Sequence, residues 1–229
     1  MSFYQFKQIP ISINNNRIII SEAELSQNIG LDSPYRLDDV ISDRYLPKSP
    51  YQGNLKVRYY LTGQDPVKQY IYSQENQRLS GSLANISFGQ GYLTNYSINC
   101  SPNAPVEVSA NIEFFDKLLG TFATAIPQNL TGTILNLYNV SINTLPTYTT
   151  NVLNNISQIN FNYNCEVIPS YEAVDTGIPP TSATRVSIGE RKIVTEIISD
   201  NVNMDIPLSG EKFGINLTFV SPYNTGLSE

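Results

Sequence analysis

Between Ile86 and Phe115 the chain alternates apolar and polar residues with a two-residue period, in two runs separated by Ser101-Pro102-Asn103-Ala104-Pro105. In the first run Tyr92, Thr94, Tyr96, Ile98 and Cys100 fall on one face, and Leu93, Asn95, Ser97 and Asn99 on the other. In the second, Val106, Val108, Ala110, Ile112 and Phe114 oppose Glu107, Ser109, Asn111 and Glu113. Side chains point to opposite faces of a strand in turn, so the pattern predicts an antiparallel hairpin with one packed and one wet face. Gly89 and Gly91 are expected to bend the chain between two strands. Shorter alternating runs recur at 55–62, 133–142, 156–167, 186–196 and 214–220, punctuated by Gly, Pro and Asn. Near the start, Asn14-Asn15-Asn16 between two isoleucine runs predicts an opening hairpin.

Segment 67–78 fits a short helix or a strand equally well, 116–126 a connector or brief helix, and Gly189-Glu190-Arg191-Lys192 an exposed turn. Residues 32–54 have no sustained period and are rich in Pro, Tyr and charge, which predicts a long loop docked on another surface, with a helical turn over 37–45. The expected fold is mainly β: an antiparallel β-sandwich or incomplete β-barrel with long loops and at most one or two short helices. It is read as a single domain over 1–229, with two related lobes, 1–126 and 127–229, as the alternative. One echo supports the alternative: Asn95-Tyr96-Ser97-Ile98-Asn99-Cys100 is matched by Asn160-Phe161-Asn162-Tyr163-Asn164-Cys165.

Composition narrows the function classes. Charged residues make up 15% of the 229 positions, well below the usual share, and Asn, Ser, Thr, Gln and Tyr take over their polar role. That suits a surface covered by protein neighbours, although an AT-rich genome gives the same bias. The net charge of −6 and the lack of any Lys/Arg run argue against affine nucleic-acid binding, and they permit walls along which DNA slides without sticking. The first residues lack a signal-peptide pattern and no apolar run reaches membrane-span length, so a soluble intracellular product without membrane contact is expected. Asn-x-Ser/Thr triplets at Asn85, Asn95, Asn99, Asn129, Asn139, Asn155 and Asn216 are read as chance in such a composition.

Candidate chemistry is sparse. With 0 histidines, the Ser-His-Asp and Cys-His nucleophiles and the commonest metal ligand are missing. Cys100 and Cys165 have no CxxC partner and are read as reduced, buried, small apolar residues. No P-loop or dinucleotide fingerprint is present. Asp38, Asp39 and Asp43 lack the spacing of a calcium loop and are read as solvated or interface charges. No catalytic residue, metal site or cofactor is therefore assigned, and an enzyme is not expected. Glu107, Ser109, Asn111 and Glu113 face water, a lumen or a neighbouring subunit; their period leaves the three open.

The hairpin resembles structural proteins of tailed-bacteriophage tails, tail-tube-like subunits above all. The resemblance is carried by Gly91-Tyr92-Leu93-Thr94-Asn95-Tyr96-Ser97-Ile98, the turn Ser101-Pro102-Asn103, Val106-Glu107-Val108-Ser109 and Phe114-Phe115. The order of Asp32-Ser33-Pro34-Tyr35 followed by the aromatic strand Leu55–Thr62 is also similar, so the resemblance spans residues 20–125 and leaves the second half outside it. It implies a virion tail subunit, made in the bacterial host cytoplasm, that forms sixfold rings. These would stack into a tube with other tail proteins, and DNA would pass down the lumen without specific binding. On that reading the loop residues Pro34, Tyr35, Arg36, Asp38, Asp39, Asp43, Arg44, Tyr45, Pro50 and Tyr51 bridge subunits, and Glu107, Ser109, Asn111 and Glu113 line a lumen or interface. The alternatives are another virion component (baseplate, neck or capsid decoration protein) and, less favoured, a carbohydrate-binding or adhesin β-sandwich.

Overall fold

The computed structural model describes residues 11–18, 20–28, 31–32, 46–47, 50–62, 65–72, 78–123, 134–137, 140–145, 154–171, 182–201 and 214–219. In chain order its elements are β1 (Ile11–Ile13), β2 (Asn16–Arg17), β3 (Ile20–Asn28), β4 (Leu31–Asp32), β5 (Leu46–Pro47), β6 (Gln52–Tyr60), α1 (Gln69–Tyr72), β7 (Leu79–Leu83), β8 (Ile86–Cys100), β9 (Glu107–Phe114), β10 (Val140–Leu145), β11 (Asn154–Ser170), β12 (Arg185–Asn201) and β13 (Gly214–Phe219). The chain is mainly β, with a nine-stranded antiparallel sheet as its body. Strands β10 and β13, and β4 and β5, form two small separate pairs.

The predicted hairpin is the spine of the sheet. Its first strand, β8, is 15 residues long and has different neighbours at its two ends. Along one edge lies β9, followed by β6 and β3. On the other edge the N-terminal half of β8 pairs with β7, which leads to β1 and β2. The C-terminal half pairs with β11, which leads to β12. Two tight turns set this up. Asn14 and Asn15 both have positive φ (49° and 64°), as a hairpin turn twisted to match its strands requires, and Asn tolerates that backbone. Ala84 and Asn85 repeat the geometry between β7 and β8 (52° and 67°), although Ala carries no such tolerance.

Burial follows the predicted period. Along β9 half-buried and buried residues alternate without exception, and β6 buries Gly53, Leu55, Val57 and Tyr59. Cross-strand registry lines these up: Leu55, Ile112 and Leu93 form one row, and Val57, Ala110, Tyr96 and Tyr163 form the next. Val67 and Ile71 from the segment around α1, together with Ile13, Leu79 and Leu135, belong to the same apolar cluster. Gly91 lies inside the continuous strand β8, where a Cβ would come within 2.5 Å of Phe88 and 2.7 Å of Ile112. It makes room for side chains rather than separating two strands. Phe88 in turn stacks on Phe114, with ring centroids 4.4 Å apart.

One departure from the simple period reorganises the spine. Leu93 pairs with Ile112, yet Asn95 pairs with the adjacent Asn111, so Thr94 is an extra residue in a β-bulge. Tyr92, opposite Glu113, therefore lies on the face away from Tyr96, opposite Ala110. The sequence places both tyrosines on one face; the bulge separates them. Tyr96 enters the main core, whereas Tyr92 packs with Phe115, Ala183 and Val186 in a second cluster on the other side. A second bulge, between the Cys165–Arg191 and Val167–Ile188 pairs, puts Gly189 and Glu190 within β12, where the sequence predicts a free turn.

Candidate functional site: the polar face of the sheet

Outside the small apolar cluster around Tyr92, the face opposite the main core is polar along the central strands. From β9 come Glu107, Ser109, Asn111 and Glu113, brought together as the period predicts and each half-buried. Registry sets Lys56 beside Asn111 and Arg58 beside Ser109 on β6, and Asn95, Ser97 and Asn99 beside the same row on β8. The sequence echo has a spatial explanation. Segments 95–100 and 159–164 are direct antiparallel neighbours: Asn95 lies opposite Asn164, Ser97 opposite Asn162 and Asn99 opposite Asn160. Each segment contributes its apolar residues to one face and its amides to the other. The two cysteines do not meet: Cys100 pairs with Ile159, at the opposite end of that ladder from Cys165, and both are free and buried. Burial pushes the Cys100 thiol up to about 12.

Lys56, Arg58, Asn95, Ser97, Ser109 and Asn111 line a depression of about 380 Å³, walled by Glu22 and Glu24 on one side and by Asn162 and Asn164 on the other. Its charges are neutralised locally, with Arg58 Nη1 3.3 Å from Glu22 and Lys56 Nζ 3.5 Å from Glu24. All four side chains are more than half exposed, so these pairs add little stability and mainly cancel charge. Ser21 Oγ donates to Glu107 Oε1 at 3.1 Å, and Asn160 Nδ2 donates to Glu196 Oε2 at 3.0 Å. At the bulge Thr94 Oγ1 donates to the Asn111 carbonyl (3.1 Å) and accepts from Asn111 Nδ2 (2.9 Å).

A second depression of about 600 Å³ adjoins Thr94 and Asn95 and is lined by Glu113, Glu166, Glu190 and Lys192. Desolvation raises the Glu113 pKa above the usual carboxylate range. Its cross-strand neighbour Asn54 has a buried Oδ1 with no hydrogen-bond donor. Among the described residues no three His, Cys, Asp or Glu side chains converge as a metal ion requires. What the face offers is a lattice of amides and hydroxyls, which donate and accept equally, interspersed with paired charges.

Of the loop residues, Pro34, Tyr35, Arg36, Asp38, Asp39, Asp43, Arg44 and Tyr45 lie outside the described residues, as does the expected helical turn over 37–45. Pro50 and Tyr51 are half-buried and lead into β6. Sequence reasoning missed Glu22, Glu24, Lys56 and Arg58 as members of the face. The alternation Glu22-Ala23-Glu24-Leu25 is visible in the sequence and would have indicated β3. Among the described residues no helix is long and apolar enough to cross a membrane. No protein-family model matches this chain, and no curated protein matches it either.

Proposed function

We propose that this chain is a structural subunit of a bacteriophage virion tail, the tail tube protein, which self-assembles into stacked hexameric rings whose lumen conducts DNA. The observation that carries this reading is the broad sheet with one face packed in its own core and a largely polar opposite face, whose cations Lys56 and Arg58 sit beside glutamates. A wall of neutral amides and paired ions presents no fixed array of cations to the phosphates, so DNA moves past it without being held. Negative-stain images of the purified protein are expected to contain rings or tubes; a strictly monomeric species at high concentration would sink the idea. A baseplate, neck or capsid decoration protein is the runner-up, and it would form rings that do not stack. One observation favours a different class. The amide row Asn95, Asn164, Ser97 and Asn162 presents donors and acceptors of the kind that hold sugar hydroxyls. Glycan-array binding by a monomer would select that reading.

A further inference from the structure

The body of the sheet contains a run of strands in the order β12-β11-β8-β9-β6-β3, each antiparallel to the next. Among the described residues β12 and β3 end this run, each paired on one side only. A long strand edge with unsatisfied backbone groups is a template for another strand. The edge at β12 is also apolar where it is open: Ile193 is 52% exposed and Val194 44%. Because the run holds an even number of strands, β12 and β3 point in opposite directions. A second copy related by rotation about an axis parallel to the strands therefore brings its β12 beside β3 in antiparallel orientation, with the polar faces of both copies on the same side.

Side-chain chemistry picks the register. Lys192 shares the polar face through its partner Asn164, and Ile193 shares the core face through Tyr163. On β3 Glu24 shares the polar face through Lys56, and Ala23 the core face through Val57. We infer that β12 of one copy adds to β3 of the next with Lys192 opposite Glu24 and Ile193 opposite Ala23. Glu24, 63% exposed and already 3.5 Å from Lys56, then lies between two ammonium groups. The exposed isoleucine is covered by the half-buried Ala23 edge. Head-to-tail joining of unlike edges generates rings when the rotation closes and filaments when it does not. The inference rests on the self-assembly proposed above and names the surfaces that make it.

The test is a charge swap in the full chain, read by sedimentation and negative-stain imaging at low ionic strength, with circular dichroism as the folding control. Glu24→Lys and Lys192→Glu each set like charges opposite one another, and each is expected to weaken association by about tenfold per interface. The double variant Glu24→Lys/Lys192→Glu is expected to assemble again. In a second measurement, Glu24→Cys/Lys192→Cys is expected to give ladders of covalent oligomers on oxidation. Wild-type protein that stays monomeric overturns both this inference and the proposed function. Wild-type rings that persist in both single variants, or a double variant that fails to recover, overturn the inference alone. Oligomers that the Glu24→Cys/Lys192→Cys pair does not crosslink on oxidation overturn it as well, because they are held by other surfaces.

Discussion

At the scale of single residues, Asp65 gathers three donors at the edge of the core. Its Oδ1 accepts from the Tyr59 hydroxyl at 2.7 Å and from the Val67 amide at 2.9 Å, and its Oδ2 accepts from the Tyr96 hydroxyl. It thereby caps the segment that leads into α1 and supplies the acceptors that two buried tyrosines need. Burial, with the adjacent carboxylate, holds the Tyr59 pKa well above its ordinary value. Asp65→Ala is expected to cost about 3 kcal/mol and Asp65→Asn about half of that, because hydrogen bonds to a charged acceptor are the stronger class. Urea denaturation midpoints measure both, and equal losses would discount the charge. Glu113 gives the opposite pH signature to an ordinary surface carboxylate. Desolvation raises its folded pKa, so its contribution is fully present below the unfolded-state pKa and is lost as pH rises through the raised folded value. Glu166, Glu190 and Lys192 are the other charged groups lining the same depression. Glu113→Gln keeps the side-chain shape and carries no charge. Its melting temperature is expected to exceed that of the wild type by a margin that grows as pH rises above about 4. A constant margin would place the carboxylate in bulk-like solvent.

At the scale of elements, the Thr94 bulge is a frame shift that the sheet uses. Deleting Thr94 lets Leu93 and Asn95 sit opposite Ile112 and Asn111 in an unbroken ladder, so both halves of β8 keep their faces. The expected loss is about 1–2 kcal/mol, from the Thr94–Asn111 hydrogen bonds and the local twist. Deleting Ser97 instead turns one side of β8 over and sends core residues such as Tyr96, or Ile98 and Cys100, to the wrong face. That variant is expected not to fold. Thermal melts of the two deletions compare them, and similar stabilities would mean that register on β8 is loosely specified. The same element marks the limit of sequence reading. The hairpin, the asparagine turn at Asn14 and the polar row Glu107 to Glu113 were legible because a two-residue period and a turn signal need only local chain. Thr94 was not, because a bulge leaves the polarity of Tyr-Leu-Thr-Asn-Tyr ambiguous and is decided by registry with β9. The asparagine echo was legible as a likeness, but not that its two copies are neighbouring strands sharing both faces of one sheet, which registry alone decides. Lys56, Arg58, Glu22 and Glu24 join the face only through pairing across the chain, which no single segment encodes.

At the scale of the whole molecule, the orientation of the polar face in an assembly can be tested separately from assembly itself. The native face carries Lys56 and Arg58, both opposed by glutamates, in a chain of net charge −6, so the assembled wild type is expected to retain no duplex DNA at physiological salt. Ser109 on β9 and Asn162 on β11 lie on this face and line its central depression, and neither belongs to the edge strands β3 and β12. Ser109→Arg/Asn162→Arg is therefore expected to leave assembly intact while adding cations in every copy. Counterion release then gives binding that falls steeply with salt. If the face lines a lumen, only DNA with free ends can reach it. Short linear duplexes are expected to be retained by preassembled variant tubes and covalently closed circles to pass, although both carry the same phosphates. Equal retention of circles and linear duplexes would put the face on the outside, where a baseplate or decoration role fits better. The two topologies are chemically identical along their length, so a difference between them reports enclosure and not affinity.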